Sequence, residues 1–427
     1  MPSILLSFVG KQDPFSDKNH TEGSIVSLVK HLLQQQQVIK RVILLYTEET
    51  AMGAIDTQTW LSTELALDPE RIRLVPVQRG LSEDPVNLLL AAPAARSAIL
   101  DEARAYLAPE DCLEFNASSG TPVMKLAWSL LQAAGYAPRS RVWQVRDPQQ
   151  MRPHQERVLQ MDVTPLRDEF DCKVIQQQIQ DYNYRGAFIS LQESHLQTPI
   201  ALALLEYGYY RQVRDFDRAF NALVPVKNAV DPVWFQEIAT LRQKEMTAIL
   251  RDAYFQALIL LQLGRYAEFL VVLSGLHENL IRFLVTNRAG LAISTKYGDR
   301  ADAWAVIRQF DQGNLYRFLQ GYRLPSGVSL RVGPEEAIAR LTLIAILDYF
   351  PDFREVVSAI KAINDYCDRR NEVVHQLVGV SAIEDAETLL ANLRRAMQFV
   401  VSLAAGNPFD RLNQQVCALL KQAVASV

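Results

Sequence analysis

Cysteine is scarce in this 427-residue chain and poorly placed for chemistry. Cys112, Cys172, Cys367 and Cys417 lie far apart and form no CxxC pair. That argues against a zinc cluster or a disulfide framework and makes a reducing cytoplasm the expected home. Histidine is nearly as rare, with six residues, and no HExxH occurs. The start, "MPSILLSFVGKQDPF", has no basic segment ahead of a long apolar run, so it reads as a first strand and not as a secretion signal. Runs such as "AIARLTLIAILDYF" are too short and too interrupted to span a bilayer, and no membrane partner is expected. Neither sign of charge dominates. The 44 basic and 48 acidic residues give a net charge of −4, which excludes a chain basic throughout but leaves room for a local basic groove. Common nucleotide and hydrolase fingerprints are missing too. There is no GxxxxGK[ST] and no GxGxxG, and GxSxG is approached only by "NASSG", where Asn116 replaces the first Gly and no Asp and His partners follow.

What is present falls into two halves of different rhythm. In the first, apolar runs at 3–10, 41–47, 71–77 and 140–145 read as buried strands, 111–120 as a strand running into a loop, and 23–36, 53–66, 86–107 and 122–135 as helices. Strand–helix alternation with nearly all-apolar strands predicts a parallel sheet covered on both faces, an α/β Rossmann-like domain over 1–150. Its ligands belong beyond the strand C-termini. Residues 146–168 read as a connection with a short hairpin at 157–165. After about residue 170 the period is helical throughout. We expect connecting helices within a 151–230 linker and an all-α domain over 231–427.

Two polar loops stand out on the predicted ligand edge. The first, "VGKQDPFSDKNHTEGS", offers Gly10 for close backbone approach, Lys11 for charge, and Gln12 and Asp13 for hydrogen bonding. The second, "FNASSGTPVMK", offers Asn116, Ser118, Ser119 and Thr121 as short polar groups and Gly120 for the turn. Pro122 suits the first turn of a helix whose free N–H groups would favour phosphate, with Lys125 one turn on. The bland alternative for "NASSGTP" is a tight turn and an N-cap.

In the second half, "DRRNEVVHQLVG" places Arg370, Asn371 and His375 near the end of a helix, with Asn371 and His375 four apart and so on one face. RNA cleavage needs such groups. A near-neutral imidazole can take the proton of an attacking 2′-hydroxyl or protonate the leaving 5′-oxygen, and a guanidinium can stabilise the phosphorane. No metal is required. The bland alternative is a cationic helix C-terminus, with Arg369 and Arg370 paired to Asp365, Asp368 or Glu372 on a solvated face. The other histidines make weaker candidates. His20 lies in a loop, His154 in the connection, and His31, His195 and His277 in or beside helical stretches without partners at metal spacing.

These residues resemble a known family. "RRNEVVH" is similar to the R-N-x3-H motif of HEPN ribonucleases, and the first half resembles a CARF domain through its two polar loops. CARF followed by HEPN resembles the accessory ribonucleases of type III CRISPR systems. The resemblance implies a homodimer in antiviral defence. A cyclic oligoadenylate would be held by Gly10, Lys11, Gln12, Asn116, Ser118, Ser119, Gly120 and Thr121 and would act as allosteric activator, with tetra-adenylate favoured over hexa-adenylate. Arg370, Asn371 and His375 would cleave single-stranded RNA without a metal, and no duplex DNA partner is implied. Many relatives carry a Gly-Gly or Thr-Gly-Gly-Thr loop where this chain has Ser118-Ser119-Gly120-Thr121, so its hydroxyls could hold the ligand differently. Two rival readings remain: a ring nuclease acting in the first domain, and a ligand-sensing regulator with an inactive helical half.

Overall fold

The computed structural model describes residues 2–16, 20–376, 379–404 and 406–425, without the side chains of residues 297 and 370–376. The chain divides into two compact units, one running to Lys173 and one spanning Val174–Ala423.

In the first unit the strands are β1 (Pro2–Phe8), β2 (Val38–Tyr46), β3 (Ile72–Pro76), β4 (Cys112–Asn116), β5 (Ser140–Val145) and β6 (Val158–Met161). They form one sheet of order β3-β2-β1-β4-β5-β6. All pairings are parallel except β5 with β6, which is antiparallel. The expected connection therefore contains an edge strand of the sheet.

The helices are α1 (Ser24–Gln34), α2 (Ala51–Glu64), α3 (Arg79–Glu83), α4 (Leu88–Ser97), α5 (Pro122–Ala133) and α6 (Thr164–Gln180). Because successive strand residues point to opposite faces, β1 feeds two cores. Ile4, Leu6 and Phe8 pack with α4 and α5, and Leu5 and Val9 pack with α1 and α2. Trp128 on α5 is fully buried and stacks on Phe115 of β4 at 4.9 Å. Burying each such large apolar side chain contributes roughly 1.5–3 kcal/mol. The helix expected over 86–107 holds its α form only to Ser97, and wider and then tighter turns carry it to Tyr106. Pro93 inside α4 removes one amide donor from the ladder, which weakens a regular helix there.

The second unit is helical. It continues with α7 (Tyr184–Gln192), α8 (Pro199–Gln212), α9 (Phe216–Leu223), α10 (Pro232–Arg242), α11 (Met246–Gln262) and α12 (Tyr266–Phe283). After these come α13 (Arg300–Gln309), α14 (Asn314–Gly321), α15 (Arg340–Tyr349), α16 (Arg354–Gln376), α17 (Ala386–Gln398) and α18 (Pro408–Ala425). Residues 174–230, read above as part of a linker, belong to this same unit. Residues Tyr266–Arg288 form a helical stretch long and apolar enough to cross a bilayer, but half of it is buried in the unit's own core. Helix α12 packs against both α11 and α16, and its Phe269, Leu273 and Leu280 are buried. Arg211 on α8 is buried yet satisfied, donating to Asp252 at 2.7 Å and to Glu237 at 2.8 Å. An ion pair so enclosed persists only because each partner answers the other's lost hydration.

Candidate functional site

The sheet order reverses direction between β1 and β4, and the loops that follow these two strands diverge there. Such a switch point opens a crevice at the strand C-termini. Here it is a cleft of about 990 Å³ lined by Gly10, Lys11, Gln12, Ser118, Ser119, Gly120 and Thr121. Two loops 106 residues apart in sequence thus meet where the strand pattern placed them.

Asn116 differs from the other loop residues. It is fully buried at the end of β4 and lies beneath the cleft, not on its wall. Its amide donates to Ser7 Oγ and Ser24 Oγ, both at 3.0 Å, and its carbonyl oxygen accepts from the Ser118 backbone at 3.0 Å. With its hydrogen bonds spent inside the protein, it shapes the loop from below. Ser118 Oγ accepts from the Val145 backbone at 2.7 Å. Thr121 is the N-cap of α5 and also donates to the Pro85 carbonyl at 2.6 Å. The turn-and-cap reading of "NASSGTP" therefore describes the local structure, and the same segment still walls the cleft.

Asp13, read above only as a hydrogen-bonding loop residue, ties the site together. Its carboxylate is buried and accepts from the Gly10 backbone at 3.0 Å, the Ile25 backbone at 3.3 Å and the Ser119 hydroxyl. One side chain thus joins the first loop, the start of α1 and the second loop. Burial raises its pKa above the usual carboxylate range, against the lowering pull of those three donors. Glycine is needed where the loops touch. A Cβ on Gly10 would sit 2.9 Å from the Gly120 backbone nitrogen, and Gly120 itself has φ of 87°.

The cleft holds cations suited to phosphate among acidic neighbours that include Glu22, Glu49 and Asp147. Lys125, half-buried on the first turns of α5, lines it and has no hydrogen bond or ion pair among the described residues. Pro122 leads a helix whose N-terminal amides favour an anion. Arg157 and Arg146 also line the cleft. Arg157 donates to the Glu22 carbonyl at 2.6 Å, and Arg146 donates to the Glu156 carbonyl at 2.9 Å. Lys11 is exposed and pairs with Glu49 at 3.0 Å. Sequence reasoning missed both arginines, because their approach to the cleft depends on the β5–β6 hairpin.

In the helical unit, the backbone of α16 runs through positions 370, 371 and 375, so the helix expected to carry the Arg–Asn–His set is present. The side chains of Arg370, Asn371 and His375 lie outside the described residues. The preceding turns of α16 are fixed from two sides. Ile360, Ile363 and Cys367 are buried, and His277 of α12 contacts the Ile360 carbonyl through Nε2 at 2.9 Å. Burial pushes the pKa of His277 down to about 4, so it is neutral and donates that bond. Asp368, considered above as a partner for Arg369 or Arg370, pairs with Arg340 at the start of α15. Asn364 donates to the same carboxylate at 3.1 Å. That crosslink between helices had no signal in the sequence of α16 itself.

No group of His, Cys, Asp and Glu side chains suited to a metal ion occurs among the described residues. No family model and no curated relative matches the chain. Among solved structures it is similar to Enterococcus italicus Csm6 bound to cyclic hexa-2'-fluoro-hexa-dAMP, with a TM-score of 0.67 and 16% identity over 98% of this chain and 100% of that one. Over nearly its whole length, then, the chain has the fold of that Csm6, an α/β unit with a largely parallel sheet followed by a helical unit.

Proposed function

We propose that this protein is an endoribonuclease of CRISPR defence, switched on when a cyclic oligoadenylate binds the cleft between β1 and β4. The cleft carries the reading. It is polar, open at the switch point, flanked by a helix N-terminus and lined by Lys125, which has no ion pair among the described residues. Those features suit a ligand built of phosphates and sugar hydroxyls. The Csm6 of similar fold holds a cyclic six-membered adenylate analogue. That adds a hexa-adenylate arm to the tetra-adenylate favoured on sequence.

The chemistry belongs to α16. His375 takes the proton of a ribose 2′-hydroxyl, whose oxygen attacks the adjacent phosphorus. The bond to the 5′-oxygen breaks, that oxygen gains a proton, and a 2′,3′-cyclic phosphate is left. Arg370 stabilises the charge that builds on the phosphoryl oxygens, and Asn371 orients the imidazole or the phosphate. None of these steps needs a metal. One such set per chain makes a homodimer in the cytoplasm, with two sets at one groove, the working form on single-stranded RNA. The ligand activates only by favouring the active arrangement over the idle one.

The deciding experiment is a fluorogenic RNA assay in EDTA across cyclic adenylates of different ring size. We expect cleavage with one ring size and little without ligand; equal rates with and without every ring would remove the allosteric reading. Lys125→Gln is expected to raise the ligand concentration for half-activation about tenfold, as loss of one charge-assisted phosphate contact would.

A further inference from the structure

A base held by a protein is recognised through its faces by rings or through its edges by hydrogen bonds. Among the described residues no aromatic side chain lines the cleft of the α/β unit, which leaves the edges to be read. The cleft is rich in carboxamides instead. Gln12, Gln144, Gln149, Gln150 and Gln155 all line it, and all but Gln12 come from the end of β5 and the turn leading to β6. Gln155 spends its carbonyl oxygen on the Arg152 backbone amide at 3.0 Å. Gln144 and Gln150 are exposed, and their side chains make no hydrogen bond among the described residues.

Both are mounted on fixed main chain. Gln144 is the last residue but one of β5 and pairs with Leu159 of β6, and the next amide, that of Val145, donates to Ser118 Oγ at 2.7 Å. Gln150 closes the single turn Pro148–Gln150, where its amide donates to the Asp147 carbonyl at 3.0 Å and the Asp147 carboxylate accepts from the Gln149 backbone at 3.0 Å. A group carried on a strand is placed more precisely than one on an open loop, which makes Gln144 the better set of the two.

The chemistry of the free groups selects among bases. A carboxamide holds an acceptor and a donor side by side in one plane. Adenine answers with its 6-amino donor beside a ring-nitrogen acceptor, the edge that Gln pairs with in nucleic-acid recognition. A guanidinium has only donors and suits the two acceptors of guanine, O6 and N7. In this cleft the guanidiniums are engaged with main-chain carbonyls, Arg157 with that of Glu22 and Arg146 with that of Glu156. The carboxamides are the free edge-reading groups.

We infer that Gln144, with Gln150 from the same hairpin as a second contact, reads the adenine edge of the cleft's ligand and sets its base specificity. The inference rests on the cyclic oligoadenylate reading and deepens it. Lys125 and the N-terminus of α5 meet phosphates, and the hairpin meets bases.

The test is calorimetric titration of the full-length protein with cyclic tetra- and hexa-adenylate and with the same rings built from purine riboside, which lacks the 6-amino group. Gln144→Ala is expected to weaken binding of the adenylate ring about tenfold, within the range for one bidentate base contact, and to change binding of the purine ring far less. Gln150→Ala is expected to act in the same sense with a smaller loss. Lys125→Gln, which removes a phosphate contact, should weaken both kinds of ring equally. Retained affinity for the purine ring shows that the glutamine variants are folded. Equal loss for both kinds of ring in Gln144→Ala would overturn the inference, as would unchanged adenylate affinity when Gln144→Ala and Gln150→Ala are combined. An unaltered protein that binds the purine ring as tightly as the adenylate ring would overturn it alone, whereas one that binds neither would overturn the ligand reading with it.

Discussion

The two units keep their buried polar groups for different purposes. In the α/β unit two of those groups set the cleft. Asp13 holds two loops and a helix start, and Asn116 braces the floor against β1 and α1. In the helical unit they lock helices to one another: Arg211 to Asp252 and His277 to the Ile360 carbonyl, with the more exposed Arg340–Asp368 pair beside them. The contrast shows how each architecture makes a site. A parallel sheet supplies a crevice by its strand order, so a few internal hydrogen bonds suffice to set loops that are already neighbours. A helical bundle has no such edge, and the polar residues of α16 depend on how firmly the helix is pinned along its length.

The largest effect that could break the comparison concerns the motif. Arg370→Ala and His375→Ala are each expected to lower RNA cleavage by about 10²–10⁴-fold, the usual worth of such groups, while cyclic oligoadenylate binding is unchanged by calorimetry. Full activity in His375→Ala would move the chemistry out of α16.

A smaller effect isolates the pinning of α16. His277 is held neutral with a pKa of about 4, against about 6.5 in an unfolded chain. The unfolded state binds more protons between these values, so stability falls as pH drops from about 6.5 towards 4, by up to about 3 kcal/mol. Thermal melting across that range should show the slope, and His277→Gln should flatten it. An unchanged slope in the variant would assign the acid sensitivity to other groups.

The smallest change sharpens the role of the loops. Asp13→Ala leaves two backbone amides and the Ser119 hydroxyl without their acceptor, at a cost of about 1–3 kcal/mol. Ligand affinity should fall with it, and Asp13→Asn, which keeps one acceptor oxygen, should recover part of the loss. Normal affinity in Asp13→Ala would show that the loops hold their shape without the tie.

Much of this molecule follows from local sequence. Apolar runs that end at Gly, Pro or small polar residues marked five of the six strands of the sheet to within a few residues, because strand burial leaves its trace in consecutive residues. Thr121 followed by Pro122 announced the start of α5, and the spacing of Asn371 and His375 needs only the period of one helix. Pairings between distant residues leave no such trace. Nothing near Asp13 names Ser119 as its partner, and nothing near Asp368 names Arg340. The short hairpin read at 157–165 does hold a strand, β6, but its antiparallel partner β5 lies upstream of that stretch. Periodicity and capping are properties of neighbours along the chain and can be read in order. Which polar group is buried against which, and what surface results, depends on where the folded backbone brings residues a hundred positions apart, and that only the tertiary structure decided.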